Sequence, residues 1–543
     1  MAAAPPRDAF RHLVRAEWTK LRTVRGWMAG LLVAVFLTVG IGLLGPAGSQ
    51  IDCARGDGKP GTCGPQAPPR GPDGREVVDE KTFVHRTLSG DGTITARLTA
   101  FSGRYDPQGG RPPSEDPRAG LAAGLLPWSK AGVLVKDGTA EGSAYAAVLA
   151  TGGHGVRMQY DYTADLAGPP GPVSAAAPRW LRLTRAGDTL TGYDSADGVT
   201  WTVLGTAHLA GLPHDVEVGV FAASPQYSVV RSSFGGTSEN GGPSLATGTF
   251  DRITVTGRSP GTWTVPPVGA MAGGPGAPQG ALALTGAVAN STSGTSGTSG
   301  TSSANDADGF TVTGSGDIAP ASISPGAGKS VEGALAGTFA GLIAVIVVAA
   351  LTMTSEYRRG LIRTSLAASP RRGRLLAAKA VVLGTAAFAT GLIAAAAAVP
   401  AVTALEHSKG LYVFHASVAA QVRVVAGTAA LLAVAAVLAL AVGAILRRGA
   451  AAVAAVIVVI VVPYILAVAS VLPAGAAEWL TRLTPAAAFA VQQTVIAWPQ
   501  VTAVYTPSNG YFPLSPWLGL GVLALYAAAA YGLAHRLLAR RDV

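Results

Sequence analysis

Residues 424–446 read VVAGTAALLAVAAVLALAVGAIL, 23 positions without one ionisable side chain. A helix rises about 1.5 Å per residue, so this run covers roughly 34 Å, and the hydrocarbon core of a bilayer needs about 30 Å. Runs of the same Ala, Val, Leu and Gly character lie near residues 331–353, 376–400, 450–472 and 517–535, and a sixth stands alone near 27–46. Length and composition predict six transmembrane helices, one before and five after a large polar insert, residues 47–330. The expected fold class is a membrane all-α unit interrupted by a soluble domain.

Charge divides the same way. The insert carries 20 Lys/Arg and 24 Asp/Glu, a net of −4, and the rest of the chain 21 and 7, a net of +14, so the positive excess of the +10 chain belongs to the membrane unit. Basic charge beside apolar runs orients helices in a membrane, and nothing here calls for nucleic acid as a partner. Arg7, Arg11, Arg15, Lys20, Arg22 and Arg25 precede the first run. Arg358, Arg359, Arg363, Arg371, Arg372, Arg374 and Lys379 lie between the second and third, Arg447 and Arg448 between the fourth and fifth, and Arg536, Arg540 and Arg541 after the sixth. The opposite loops hold only Lys409, Arg423 and Arg482. This asymmetry places both termini in the cytoplasm and residues 47–330 outside. A cleaved signal peptide has an apolar region of about 7–15 residues, so the longer run at 27–46 reads as a retained anchor.

Residues 47–87 form an exterior stalk in this reading. They contain the only two cysteines, Cys53 and Cys63, which an oxidising exterior permits to form a structural disulfide; two free thiols are the other reading. Residues 88–256 alternate apolar and polar positions in short runs. In Thr93–Phe101, Ile94, Ala96, Leu98 and Ala100 share one face. Turn signals such as Asp137-Gly138 and Asp197-Gly198 separate the runs, a pattern that predicts an all-β sandwich. Residues 257–330 then lose periodicity, and the Ser/Gly/Thr repeat at 291–303 reads as a flexible linker.

Trp128–Lys136, Arg179–Arg185 and Tyr193–Trp201 resemble stretches of the concanavalin-A-like lectin/glucanase sandwiches. The resemblance covers about 170 residues and implies a jelly-roll that binds an envelope glycan. Trp128, Tyr162 and Trp201 are candidate stacking platforms, although aromatics after hairpin turns more often pack on their own sheet. Asp194 and Asp197 are possible calcium ligands, with a plain hairpin turn as the alternative. No strand alternates the acidic residues that a retaining glucanase needs at about 5–5.5 Å, so hydrolysis is not expected.

In the membrane unit the central parts of the runs lack ionisable residues, which disfavours an ion-coupled carrier. Phe10, Leu13, Val14, Trp18, Leu21 and Val24 recur at helical spacing with arginines flanking them, so residues 1–26 are expected to include a basic amphipathic helix at the inner interface, with Trp18, Lys20 and Arg22 facing lipid and partner. Arg15–Thr23, Thr354–Leu366, Pro370–Lys379 and Leu483-Thr484-Pro485 resemble the permease subunits of type-2 ABC exporters. The resemblance implies six spans, re-entrant helices over residues 474–512, and a homodimer of permeases in a bacterial plasma membrane. It also implies a coupling segment within 354–374, so Glu356, Tyr357, Arg358, Arg359, Gly360 and Leu361 are expected to meet a separate ATP-binding subunit.

ATP would be bound by that partner, and no cofactor, metal site or catalytic residue is expected in this chain. Gly326–Ser330 ends like a phosphate-binding loop, but it follows no strand and lies outside, so the match reads as accidental. A large first exterior loop departs from the family pattern. The alternative reading is a membrane-anchored glycan-binding receptor without transport.

Overall fold

A computed structural model of the chain describes residues 8–47, 52–54, 60–62, 67–107, 121–233, 236–265, 286–289, 306–322, 328–358, 360, 372–469, 471–503 and 505–540. It contains a helical bundle and a nearly closed antiparallel sheet domain. The helices are α1 (Asp8–Thr23), α2 (Arg25–Ala47), α3 (Thr338–Arg358), α4 (Arg372–Ser408), α5 (Val418–Leu446), α6 (Gly449–Val468), α7 (Ala474–Leu483) and α8 (Pro516–Arg540). All but α1 and α7 are long and apolar enough to cross a membrane, which fits a multi-pass membrane protein.

The bundle core is built from Leu342 and Ile346 of α3, Leu431 and Leu432 of α5, Val456 of α6 and Leu523 of α8. Small residues bring the backbones close. A Cβ on Gly391 would lie 2.8 Å from Ala429 Cα, so α4 and α5 touch there. Leu32, Phe36 and Leu44 of α2, and Leu518 and Leu525 of α8, point outward, and all five are more than half exposed. Such an apolar surface needs an apolar surrounding. Hydropathy marks only the lipid-matched part of each helix. At 37 residues α4 is roughly 55 Å long, so it overshoots the expected 376–400 run at both ends.

The stretch 474–512 forms α7, then a 3₁₀ helix at Pro485–Gln492 that is buried along its whole length beside α5, α6 and α8. Its Gln492 amide donates to Thr338 Oγ1 and Thr428 Oγ1, each at 3.0 Å, so one side chain satisfies two neighbouring helices inside the bundle.

In the insert, β1 (Asp52–Ala54) and β2 (Pro60–Thr62) form a small hairpin, and β3 is Val77–Asp79. Cys63 and the side chain of Cys53 lie outside the described residues, as do Arg359 and Leu361. The main sheet is organised by β4 (Thr82–Tyr105), with β5 (Ala122–Ala123) at its end. It continues through β6 (Lys130–Lys136), β7 (Tyr145–Thr151), β8 (Val156–Tyr160), β9 (Ala164–Ala167), β10 (Arg179–Ala186), β11 (Thr189–Ser195), β12 (Thr202–His208) and β13 (Asp215–Ala223). After the β14 (Tyr227–Ser233) and β15 (Gly236–Gly242) hairpin come β16 (Ser244–Arg258), β17 (Gly286–Ala289), β18 (Asp306–Gly314) and β19 (Ile318–Pro320).

The main order is β12-β11-β10-β4-β13-β6-β7-β8-β9. Residues 82–89 of β4 pair with β13, and residues 92–98 pair with β10, so this one strand belongs to both arms. It turns at Gly90, whose φ of +76° favours glycine. Val84 and Leu88 from one arm, Leu98 and Leu183 from the other, and Phe250 of β16 meet in one core.

Part of the stretch read as linker is strand. β18 pairs with β16 and buries Phe310 and Val312, while β19 pairs with β3 and buries Ile318. The neighbouring Ser/Gly/Thr repeat hides this short alternation. The strand set also starts before residue 88, because β3 and the first half of β4 belong to it.

Strand β13 tolerates little extra volume. A Cβ on Gly219 would sit 1.9 Å from Val84 O and 2.8 Å from His85 Cα. Gly219→Ala is expected to destabilise the sheet domain by about 2 kcal/mol through overpacking. Limited proteolysis of the full chain, read as faster cleavage within residues 82–258, checks this.

Candidate functional site

Two polar junctions stand out, one at each end of the bundle. At the arginine-rich end, Glu356 closes the last turn of α3 and is 1% exposed. Its Oε1 accepts from Lys20 Nζ of α1 and, at 2.7 Å, from Lys379 Nζ of α4. Lys379 also donates to Glu17 Oε2 of α1 at 2.8 Å. Two carboxylates and two ammonium groups thus join three helices in one neutral knot. A buried charge survives only with such partners. Oε2 of Glu356 has no hydrogen-bond partner among the described residues.

The local sequence explains the meeting. Glu17 and Lys20 are three apart on α1 and share a face, with Leu21 buried beside them. Lys379 lies two turns into α4, at the start of the apolar run, which sets its charge at the bundle's edge. Tyr357 packs partly into the core with the Arg447 guanidinium 5.0 Å from its ring centre. Trp18 and Arg22 are exposed on α1, and Arg358 and Gly360 close the described part of this segment.

Sequence reasoning placed Lys20 and Glu356 in separate features, and the structure makes them one. It singled out neither Glu17 nor Lys379 as site residues. The only available signal was that these are scarce ionisable groups next to apolar runs.

At the opposite end the sheet domain sits on the bundle's loops. Glu76 Oε1 accepts from Tyr412 Oη at 2.6 Å and from the His415 backbone N–H at 2.8 Å. Gln500, 2% exposed, donates to the carbonyls of Tyr162 and Thr163 at 3.4 and 3.1 Å. Lys329 N–H donates to Tyr412 O, and Phe414 N–H donates to Lys329 O, both at 2.8 Å. Lys329, within the Gly326–Ser330 stretch, is a backbone brace here.

Beneath this contact lies a buried ionic centre of the sheet domain. Asp79 accepts from Lys81 Nζ at 2.5 Å, Tyr162 Oη at 2.8 Å and Gly142 N at 2.9 Å, and Lys136 Nζ lies 3.0 Å away. Burial pushes the Asp79 carboxyl up, but the two lysines and the Gly142 amide outweigh it and hold it below the usual carboxylate value. Burial pulls Lys136 down, against the attraction of Asp79.

The expected glycan platforms are largely not on the surface. Tyr162 is 1% exposed and belongs to the Asp79 centre; Trp128 is 7% exposed, stacked on His154 at 4.0 Å between ring centres. These two are corrected to interior residues. Each ring has a large apolar body that favours burial, and the Tyr162 hydroxyl, which would otherwise oppose it, donates to Asp79 and the Ser143 carbonyl. Trp201 is half-buried, with the Arg182 guanidinium 3.6 Å from its ring centre. Asp194 is buried against Arg179 at 3.2 Å, and burial raises its carboxyl. Asp197 caps its own turn, accepting from Thr200 N and Val199 N, which lowers it to about 2. No cluster of His, Cys, Asp and Glu suited to a metal occurs among the described residues.

No family model matches the chain, and no curated protein matches it. Among solved structures it has partial likenesses. One is to a functionally unknown protein from Saccharomyces cerevisiae, 16% identical with a TM-score of 0.18, covering 33% of this chain and 76% of that one. Another is to scytalido-glutamic peptidase, 10% identical with a TM-score of 0.21, covering 34% and 84%. SCP-B, a member of the Eqolisin family of peptidases, is 9% identical with a TM-score of 0.19, covering 35% and 84%. TM-scores this low carry no argument about activity.

Two predictions follow from the junctions. Lys379→Met leaves Glu17 unpaired and Glu356 half-paired in a buried site, and is expected to cost about 3 kcal/mol. Lys20→Met, at a side chain 29% exposed, should cost about 1 kcal/mol or less. Thermal melts in mild detergent, with equal losses for the two as the contrary result, test this. For Asp79, a lowered carboxyl stabilises the fold above the ordinary carboxylate value, and that contribution disappears as pH falls below about 4. The difference in sheet-domain melting between the native chain and Asp79→Asn should accordingly hold at pH 5 and shrink progressively as pH is lowered below about 4.

Proposed function

We propose that the chain is the membrane-spanning permease subunit of an ATP-driven exporter of the type-2 ABC class. In this reading it sits in a bacterial plasma membrane as a homodimer, with α1 and the arginine-rich bends in the cytoplasm. The observation that carries the reading is the Glu17–Lys379–Glu356–Lys20 knot. It ties the amphipathic helix to the two spans that flank residues 359–371, α3 before and α4 after. An ATP-binding subunit pressing on Arg359, Gly360 and Leu361 would then move α1, α3 and α4 together, since a packed ionic cluster shifts between discrete arrangements. ATP hydrolysis belongs to that subunit.

In the same reading the sheet domain is a concanavalin-A-like jelly-roll facing outside. Its attachment through Glu76 and Gln500 supports a lid seated on the permease more than a domain hanging from a tether. A receptor that binds glycan and transports nothing is the competing reading, and it loses two of three aromatic contacts to burial.

The chain purified in mild detergent from its native membrane is expected to retain an ATP-hydrolysing subunit. Arg359→Glu should abolish that retention while leaving the melting temperature unchanged. Recovery of intact, folded chain with no ATPase attached would refute the proposal.

A further inference from the structure

A cavity of about 670 Å³ lies between the sheet-domain halves of α4 and α5. That volume is within the roughly 300–1,000 Å³ typical of small-molecule sites. Its wall along α4 follows helical spacing: Leu392, Ala396 and Val399 deep in the bundle, then Thr403 and His407 toward the sheet domain. On the antiparallel α5, Gln421 stands at the sheet-domain end and Val425 deeper. Both helices therefore grade the cavity the same way, apolar below and hydrogen-bonding above. Leu392 and Val422 are 39% and 62% exposed, so the cavity opens sideways where the bundle's apolar surface faces outward.

Its upper end is closed by the loop carrying Val413, Phe414 and His415. That loop is the one held by Glu76 and Lys329. A floppy loop would make this end a passing gap; here the sheet domain fixes it as a roof.

We propose that this cavity is a binding site for a single-chain amphiphile with an uncharged, hydroxyl-bearing head, such as an alkyl glycoside or glycolipid. The chain lies against Leu392, Ala396 and Val425, entering sideways from the lipid. The head meets the imidazoles of His407 and His415, the Thr403 hydroxyl and the Gln421 amide, which together donate and accept hydrogen bonds. Among the described residues no Lys, Arg, Asp or Glu lines the cavity, so a phosphate head would lack the charge-assisted partners it ordinarily finds, and a polyol suits the lining. The site needs neither ATP nor a partner subunit, and it stands whether or not the chain belongs to an exporter.

The test uses the full chain in nanodiscs with a photoactivatable alkyl glucoside. Labelling is expected to be saturable and concentrated in residues 392–426, with unlabelled alkyl glucoside competing at least about tenfold better than an alkyl phosphate of equal chain length. Ala396→Trp and, independently, Ala426→Trp fill the cavity and should abolish the saturable part. Peptides around Leu525, on the outward face of α8, should show only non-saturable label. Non-saturable labelling of both faces would overturn the site, and equal competition by the alkyl phosphate would overturn the head. A Val422→Cys variant that cross-links to a second copy in the absence of probe would give the cavity to a protein partner and overturn the proposal as well.

Discussion

A hydrocarbon layer supplies no hydrogen bonds, so a chain that crosses it must close its backbone within helices and confine charge to their ends. The rest of this molecule follows from that constraint. Among the described residues six apolar helices close their own backbones, and inside the bundle the Gln492 amide finds partners on two neighbouring helices, Thr338 and Thr428. The ionisable groups are pushed to two levels. At one end they neutralise each other in the knot around Glu356; at the other, Glu76 of the sheet domain reaches Tyr412 and His415 of the bundle.

One helix links the two junctions. The overlong α4 runs from Lys379 in the knot to His407 at the cavity's upper end. The sheet domain is itself organised around one bent strand, β4, that serves both arms, and around the buried Asp79 centre next to the contact surface. A large insertion thereby becomes part of the bundle's architecture, with its stability tied to carboxylate charge.

Composition and periodicity made the helices and most strands legible, because lipid exposure and half-burial each leave a repeat that is local in sequence. Helix ends were less legible. Arg372–Leu375 lies outside the apolar run expected over 376–400, yet it continues α4, whose Lys379 a turn further on meets two carboxylates on other helices. Strand β18 escaped notice because Phe310 and Val312 form a short alternation after a long Ser/Gly/Thr repeat, and its pairing partner is a strand some sixty residues earlier.

The amino-acid sequence alone determined that this protein has six membrane-length helices, an antiparallel β domain inserted after the first, and an uneven distribution of basic residues. Those properties depend on near neighbours and on the medium each residue prefers. Which charges meet, which aromatics are buried and where a cavity remains were decided only by tertiary structure. Glu17, Lys20, Glu356 and Lys379 come from three separate helices, and Tyr162, Asp79 and Gln500 from three distant segments. No local pattern encodes their meeting, because it depends on how long elements pack and on which buried polar groups must find a partner.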